Sequence, residues 1–516
     1  MHRPVSCCAL LIATFYVSNF ACGQTTADLN AVDQYLAQAK VDWKVPGFAI
    51  AIVKDDKVVF SKGYGVREKG TSAPVDANTL FAIASNTKAF TAAAIAKLVD
   101  DGSLRWDDPV RKYLPSFELY DTYISADMTI RDLLCHRSGL GTFSGDLLWY
   151  GTAFSPRQIL EKARHLPQAG KFGRSYGYSN LMYLAAGEVI TRVTGVNWAF
   201  FVQREILDPL KMDNTFTSTQ SLEGRANVAT PHKTTRHTVA PLPWINWDTM
   251  AAAGGLISCT ADMTKWIRMQ LNQGTTHDGT VLFSKNANRE MWKPQTLINV
   301  SAGYQEKYPT THFRAYGLGW SMRDFKGHKI LEHGGGYDGM FSRVVLVPET
   351  GLGIVVLTNS MTSLPVVACN RVLDEYLGGS KPDWSSLLLE EFHEDREKFE
   401  ARIESAMKPR LQGTDPSLPL DAFAGEYRDI MYGRAIVSLN QDQLNLRFEV
   451  APDLVANLTH MHHDTFSLQW ENEHAWFGGG NIQFLTNAKA EITGFRLDIP
   501  NDDFWWNEFQ FKREKP

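Results

Sequence analysis

The order of apolar and polar positions changes character along this chain. From Asp28 to Val41, Leu29, Val32, Tyr35 and Leu36 fall on one side of a helical wheel, which predicts an amphipathic helix. Gly47–Val53 and Val58–Phe60 are apolar runs on either side of Lys54-Asp55-Asp56-Lys57, the pattern of a β-hairpin. An alanine-rich helix is expected from Lys88 to Asp101, ended by Gly102. Further helices are expected over Ser155–Leu166, Asn180–Thr194, Trp198–Ile206 and Asp262–Leu271, the last with Asp262 as its N-cap. Strand character returns at Lys329–Leu331, Phe341–Val347 and Leu352–Leu357, a meander whose second turn is Pro348–Gly351. Strands at both ends with helices between them predict an α+β fold, an antiparallel sheet flanked by helices.

Beyond this region the pattern shifts twice. Glu390–Lys408 reads as a charged helix and Pro409–Pro419 as a linker. After Leu420 come short strands, among them Arg434–Leu439, Leu444–Val450, Thr465–Trp470 and Glu491–Leu497, which predict a separate all-β module, barrel-like or sandwich-like. At the other end, Met1-His2-Arg3-Pro4, an apolar run from Val5 to Phe20 and the small residues Ala21-Cys22-Gly23 have the layout of a secretory signal peptide cut after Gly23. The run is too short, and too polar at Ser18-Asn19, to span a bilayer comfortably. A lipidated Cys22 fits less well, because Asn19 and Phe20 precede it. The expected organisation is a leader at residues 1–23, an α+β region at 24–380, a charged helix and linker at 381–419 and an all-β, lipocalin-like region at 420–516. The protein is expected to be exported, periplasmic or secreted, with no stable membrane insertion once the leader is removed.

Bulk composition narrows the function classes. The chain has 516 residues, 44% hydrophobic and 21% charged, with a formal charge of −5. That fits a soluble protein too long for one ordinary core. No basic stretch interleaved with aromatics occurs, so a nucleic-acid partner is not expected. Past the leader only Cys135, Cys259 and Cys369 remain, too widely spaced for a metal cluster or a disulfide framework. Buried small hydrophobes are the expected role. A metal or cofactor is not expected, the partner being a small-molecule or peptide substrate, with homo-oligomer assembly left open.

The chemistry concentrates in three places. Ser85-Asn86-Thr87-Lys88 sets a hydroxyl and an amine three residues apart, on one face of a helix start. A free lysine titrates near 10.4, so service as a base near neutral pH needs a shift of roughly 3 units, about 4 kcal/mol. Burial and a neighbouring cation can both supply it. Average composition produces on the order of one such pair by chance in a chain this long, and Ser405-Ala406-Met407-Lys408 is a decoy of identical spacing, set in the charged helix. The second place is Tyr178-Ser179-Asn180, after the glycine-containing loop Gly170–Gly177 and before a helix. Tyr178 can relay a proton from Ser85, and Asn180 can hold the substrate or Lys88; a turn tyrosine capping the helix is the structural alternative. The third is His333-Gly334-Gly335-Gly336 after a strand, where the N–H of Gly336 can join that of Ser85 in an oxyanion hole.

In this order the three motifs resemble the signature of the penicillin-recognising serine hydrolases: class C beta-lactamases, serine D-alanyl-D-alanine carboxypeptidases, D-aminopeptidases, related esterases and some peptide-degrading enzymes. The resemblance covers roughly residues 28–380 and includes the stretches Asp132–Leu140, Ala253–Ser258 and Leu357-Thr358-Asn359. It implies an acylated Ser85, with Lys88 as base and Tyr178 as acid/base partner. It also implies that Asn180, His333, Gly335 and Gly336 contact substrate or oxyanion. His333 stands where class C beta-lactamases carry the lysine of Lys-Thr-Gly. A histidine is mostly neutral near pH 7, so it anchors a substrate carboxylate weakly. The first reading is therefore a peptidase or amidase on small or linear peptides, the second an esterase or weak beta-lactamase on the same machinery, and the third a penicillin-binding or sensor protein that is acylated with little turnover. Residues 421–515 resemble the small barrel that ends some of these peptidases, and Phe504-Trp505-Trp506 can line a binding wall, assemble an oligomer or fill a core.

Overall fold

The computed structural model describes residues 27–235 and 237–515; the leader expected at 1–23 lies outside them. The N-terminal hairpin shows how the main sheet is built. Every residue from Gly47 to Val53 is buried, and alternate side chains enter different cores. Phe48, Ile50 and Ile52 face one core, while Ala49, Ala51 and Val53 face the other. A strand apolar on both faces needs a layer on each side. The hairpin turns at Asp55 and Asp56, both at positive φ, which polar short side chains tolerate best.

The sheet has eight antiparallel strands in the order Lys57–Gly65, Gly47–Lys54, Leu352–Thr358, Met340–Val347, His328–Tyr337, Ser321–Phe325, Arg314–Tyr316 and Thr296–Ile298. The two ends of the α+β region thus meet between the second and third strands of the sheet, where Ile50 lies opposite Val356. Helices Leu29–Asp42 and Leu364–Leu377 cover one face. Thr260–Leu271 covers the other, and behind it lie the helices Thr87–Asp100 and Asn180–Thr194. Phe90 stacks on Trp266 in this layer, with ring centroids 3.7 Å apart. The α+β architecture is the one expected.

Some details differ from expectation. The N-cap of Thr260–Leu271 is Cys259, not Asp262. Asp262 lies in the first turn, where its carboxylate accepts from the Asn214 N–H at 2.7 Å, so tertiary partners override its capping preference. The helix expected over Trp198–Ile206 is α-helical only to Val202 and continues as a π-helical turn, Gln203–Leu207. The charged helix begins six residues earlier than read, at Trp384, and ends at Ala406; buried Trp384 and Leu388 anchor it.

The C-terminal strands form a closed eight-stranded barrel in chain order, from Gly425–Asp429 to Phe511–Arg513. Tyr427, Leu446, Phe466, Phe484, Phe495 and Phe511 fill it, leaving a packed interior. Trp506 belongs to that core. The barrel docks on the α+β region: the Ala153 N–H donates to the Val450 carbonyl at 2.8 Å, and Lys233 Nζ donates to the His474 carbonyl at 2.6 Å. Cys135, Cys259 and Cys369 are buried and unpaired. Among the described residues no helix is long and apolar enough to cross a membrane.

Candidate active site

Ser85 sits in a tight turn, Ala84–Asn86, between the short strand Phe81–Ala82 and the helix Thr87–Asp100. Ala84 adopts φ of 46°, a conformation costly for a residue with a Cβ. The turn is held by Asn86 Nδ2, which donates to Ser342 Oγ at 2.8 Å, while Ser342 donates to the Ile83 carbonyl at 2.8 Å. The strand His328–Tyr337 presses against it. A Cβ on Gly335 would lie 2.2 Å from the Ile83 carbonyl oxygen, so only glycine fits there. This contact places Gly336 beside Ser85 on the wall of one cavity.

Lys88 is fully buried. Its Nζ lies 3.0 Å from Ser85 Oγ, 2.7 Å from Asn180 Oδ1 and 2.9 Å from the Ala253 carbonyl. The last two partners can only accept. A neutral amine gives them its two N–H groups and leaves its lone pair facing the serine hydroxyl. Burial pulls the amine down to about 7, against the opposing pull of Asp146. The Asn180 amide in turn donates to Asp146 Oδ2 at 2.6 Å. Burial pushes that carboxyl up to about 7, while its hydrogen bonds and the charge of Lys88 hold it down. Lys88, Asn180 and Asp146 thus form one hydrogen-bonded chain ending at the Ser85 hydroxyl.

Tyr178 is pinned by its backbone: its N–H donates to Thr142 Oγ1 at 3.2 Å and its carbonyl accepts from Phe143 at 2.8 Å. The Lys88 amine stands 4.8 Å from its ring centroid. Burial raises the phenol well above its ordinary value, and a hydrogen bond with Ser85 opposes that rise. Behind the ring lies His136, centroid to centroid 4.1 Å, whose Nδ1 accepts from the Ser179 N–H at 3.1 Å.

His333 is buried too, and its ring is committed. Nδ1–H donates to the Gly334 carbonyl at 2.6 Å, which leaves Nε2 to accept from Tyr316 Oη at 2.7 Å. Burial and the charge of Lys88 bring its pKa down to about 3. It is a neutral group braced by a tyrosine.

Ser85, Tyr178, Asn180, His333 and Gly336 line a cavity of about 310 Å³, with Lys88 behind them. Gly335 sits underneath as the spacer that permits the approach. Sequence reasoning missed Asp146, the Ala253 carbonyl and Tyr316, as well as the aromatic walls Trp149 and Trp247. The barrel residues Trp476, Asp503 and Phe504 were also unassigned as a group, although a wall was one of three roles read for Phe504. The decoy lies elsewhere: Ser405 is exposed near a helix end and Lys408 reaches Glu404 at 3.2 Å. Among the described residues no group of three or more His, Cys, Asp or Glu side chains is arranged to hold a metal ion.

A family model described as Beta-lactamase matches residues 32–377, and one described as Domain of unknown function (DUF3471) matches 409–515. The chain is 31% identical over 421 residues to the unguisins hydrolase ungD of Aspergillus violaceofuscus, covering 76% of this chain and 73% of that protein. It is 29% identical over 321 residues to protein flp of Staphylococcus aureus, covering 61% and 60%. Among solved structures, the octameric penicillin-binding protein homologue from Pyrococcus abyssi superposes with a TM-score of 0.61 at 22% identity, over 94% of this chain and 100% of that one. A D-stereospecific amidohydrolase from Streptomyces gives 0.53 at 26% identity, over 68% and 100%.

Proposed function

Because this chain belongs to the beta-lactamase family of serine hydrolases, we propose that it is an exported peptidase or amidase acting on small or linear peptides through an acyl-enzyme on Ser85. The same reading divides it into a leader at 1–23, a catalytic region at 24–380, a helix and linker at 381–419 and a barrel at 420–516.

The observation that carries the reading is the disposition of Lys88. Its two acceptors fix the amine so that its lone pair meets the Ser85 hydroxyl. Ser85 Oγ attacks the substrate carbonyl as Lys88 takes its proton. The N–H groups of Ser85 and Gly336 receive the oxyanion, and Tyr178 returns a proton to the leaving amine. Water then cleaves the acyl-enzyme by the reverse route. Neutral His333 supplies no fixed charge for a substrate carboxylate, which favours peptides over lactams. Two similar proteins are named an unguisins hydrolase and a D-stereospecific amidohydrolase, which supports hydrolysis and, from the second name, an amide substrate.

The test combines labelling with turnover. A fluorophosphonate should add one adduct at Ser85, read by peptide mass spectrometry, and Lys88→Ala should slow that labelling by about 10³-fold. Sustained release from a peptide panel supports the peptidase. A stoichiometric burst with nitrocefin and no further turnover would instead identify a sensor.

A further inference from the structure

Two barrel loops reach into the catalytic cleft. Residues 471–479 carry Trp476, and residues 499–510 carry Asp503 and Phe504; all three line the same cavity as Ser85. Trp476 lies against the glycine strand, where a Cβ on Gly336 would come within 2.9 Å of its ring. Phe504 packs on Tyr150, with centroids 4.6 Å apart. These loops are locked down beside the catalytic chain, because Glu508 accepts from the Gly145 N–H at 2.9 Å and from the Ser144 hydroxyl, immediately before Asp146.

Asp503 is the unusual member of this wall. Its backbone N–H donates to Asn501 Oδ1 at 3.1 Å, but among the described residues no hydrogen bond or ion pair engages its carboxylate. Burial and Asp502 push the carboxyl up to about 6, with Arg396 opposing, so it is ionised above that pH. Arg396 lines the adjoining cavity, which Asp503 also borders, and Glu400, Asp395 and Asp502 share its charge. The charge of Asp503 is felt in the catalytic chain, where it helps raise Asp146. The cavity that Asp503 lines is also lined by the rings of Trp149, Tyr176, Trp247, Trp476 and Phe504. An unpaired carboxylate in an aromatic chamber has the chemistry that recognises a compact organic cation: the carboxylate supplies the charge-assisted hydrogen bond, and the ring faces supply cation–π attraction.

We propose that Asp503 is a specificity-determining residue that selects substrates carrying an ammonium group, seated against its carboxylate between Trp476 and Phe504. The inference rests on the acyl-enzyme reading above. It makes the barrel a part of the substrate site.

Two matched pairs of p-nitrophenyl esters test it on the full chain: alanine against N-acetylalanine, and aminohexanoate against hexanoate. The wild type should favour the amine-bearing member of at least one pair by about 10-fold or more in kcat/KM. Asp503→Asn should erase that preference by raising KM for the amine-bearing member more than for its neutral partner, while the fluorophosphonate still labels Ser85. A response in the alanine pair identifies an N-terminal amine, and one in the hexanoate pair a side-chain amine. Equal selectivity in wild type and Asp503→Asn, including none in either, overturns the proposal. If Asp503→Asn fails to fold, inhibition of the wild type decides: butylammonium should inhibit about 10-fold more strongly than butanol, and equal inhibition overturns it. A wild type that never labels at Ser85 defeats the acyl-enzyme reading instead.

Discussion

Two stretches of this chain carry serine and lysine at the same spacing, Ser85–Lys88 and Ser405–Lys408, and they lie at opposite ends of their helices. Ser85 opens the helix Thr87–Asp100, whose residues from Thr87 to Ala96 are all buried. Ser405 is at the close of Trp384–Ala406, where Lys408 is 72% exposed and pairs with Glu404 across one helical turn. Lys88 is 0% exposed and enclosed by acceptors from two other helices, Asn180 and Ala253. Water surrounds and screens the second amine, whose ion pair with Glu404 is exposed. The first loses hydration, which favours its neutral form. Spacing brings a hydroxyl and an amine together, but enclosure decides whether the amine is a base.

The comparison breaks most visibly at the two serines. Ser85→Ala should cut hydrolysis by at least about 10⁴-fold with the fold retained, whereas Ser405→Ala should leave kcat/KM unchanged. Loss of activity in Ser405→Ala, or retention in Ser85→Ala, reverses the assignment. Tyr178→Phe comes next. It keeps the ring beside His136 and removes only the hydroxyl, so turnover should fall by about 10²-fold with little change in substrate binding. Unchanged turnover removes Tyr178 from the mechanism and leaves the Ser85–Lys88 pair intact.

Asp146 sharpens the same comparison through pH. The base works when neutral, so kcat/KM should fall on the acid side through about pH 7, the value to which burial brings Lys88. The charge of Asp146 raises that pKa. Asp146→Asn removes the charge but keeps an acceptor for the Asn180 amide, so the acid limb should move to lower pH. A limb that stays in place, or moves up, shows that Asp146 does not reach Lys88 electrostatically.

Much of this was legible in the sequence, for a physical reason. Ser85 with Lys88, and Tyr178 with Asn180, are local pairs whose side chains share a helix start, and local geometry is written in spacing. The sheet was legible because strands with apolar residues on both faces, such as Gly47–Lys54, announce a layer on either side. The partners of Lys88 come from positions 92 and 165 residues away, and the barrel wall from nearly 400 residues on. No local pattern encodes those meetings. Phe504-Trp505-Trp506 shows the limit well: three adjacent aromatics go to three places. Phe504 lines the cleft, Trp505 presses on Gly141 and Trp506 fills the barrel.

The smallest effect tests the same enclosure through stability rather than rate. Lys88 titrates at an ordinary 10.5 when unfolded and near 7 when folded. Below pH 7 both states hold the proton, and the folded state carries the whole cost of a buried cation, about 4–5 kcal/mol. Between pH 7 and 10.5 the unfolded chain binds more protons, so this contribution to stability rises with pH. Lys88→Met fills the same space without the charge. It should therefore raise Tm at pH 6 while abolishing activity, and the gain over wild type should shrink by pH 9. Lys408→Met, at the exposed pair, should shift Tm by no more than about 1 °C at either pH. If the Lys88→Met gain is absent at pH 6, or equal at both pH values, the amine is not held in a low-pKa state by burial, and the distinction between the two pairs has another cause.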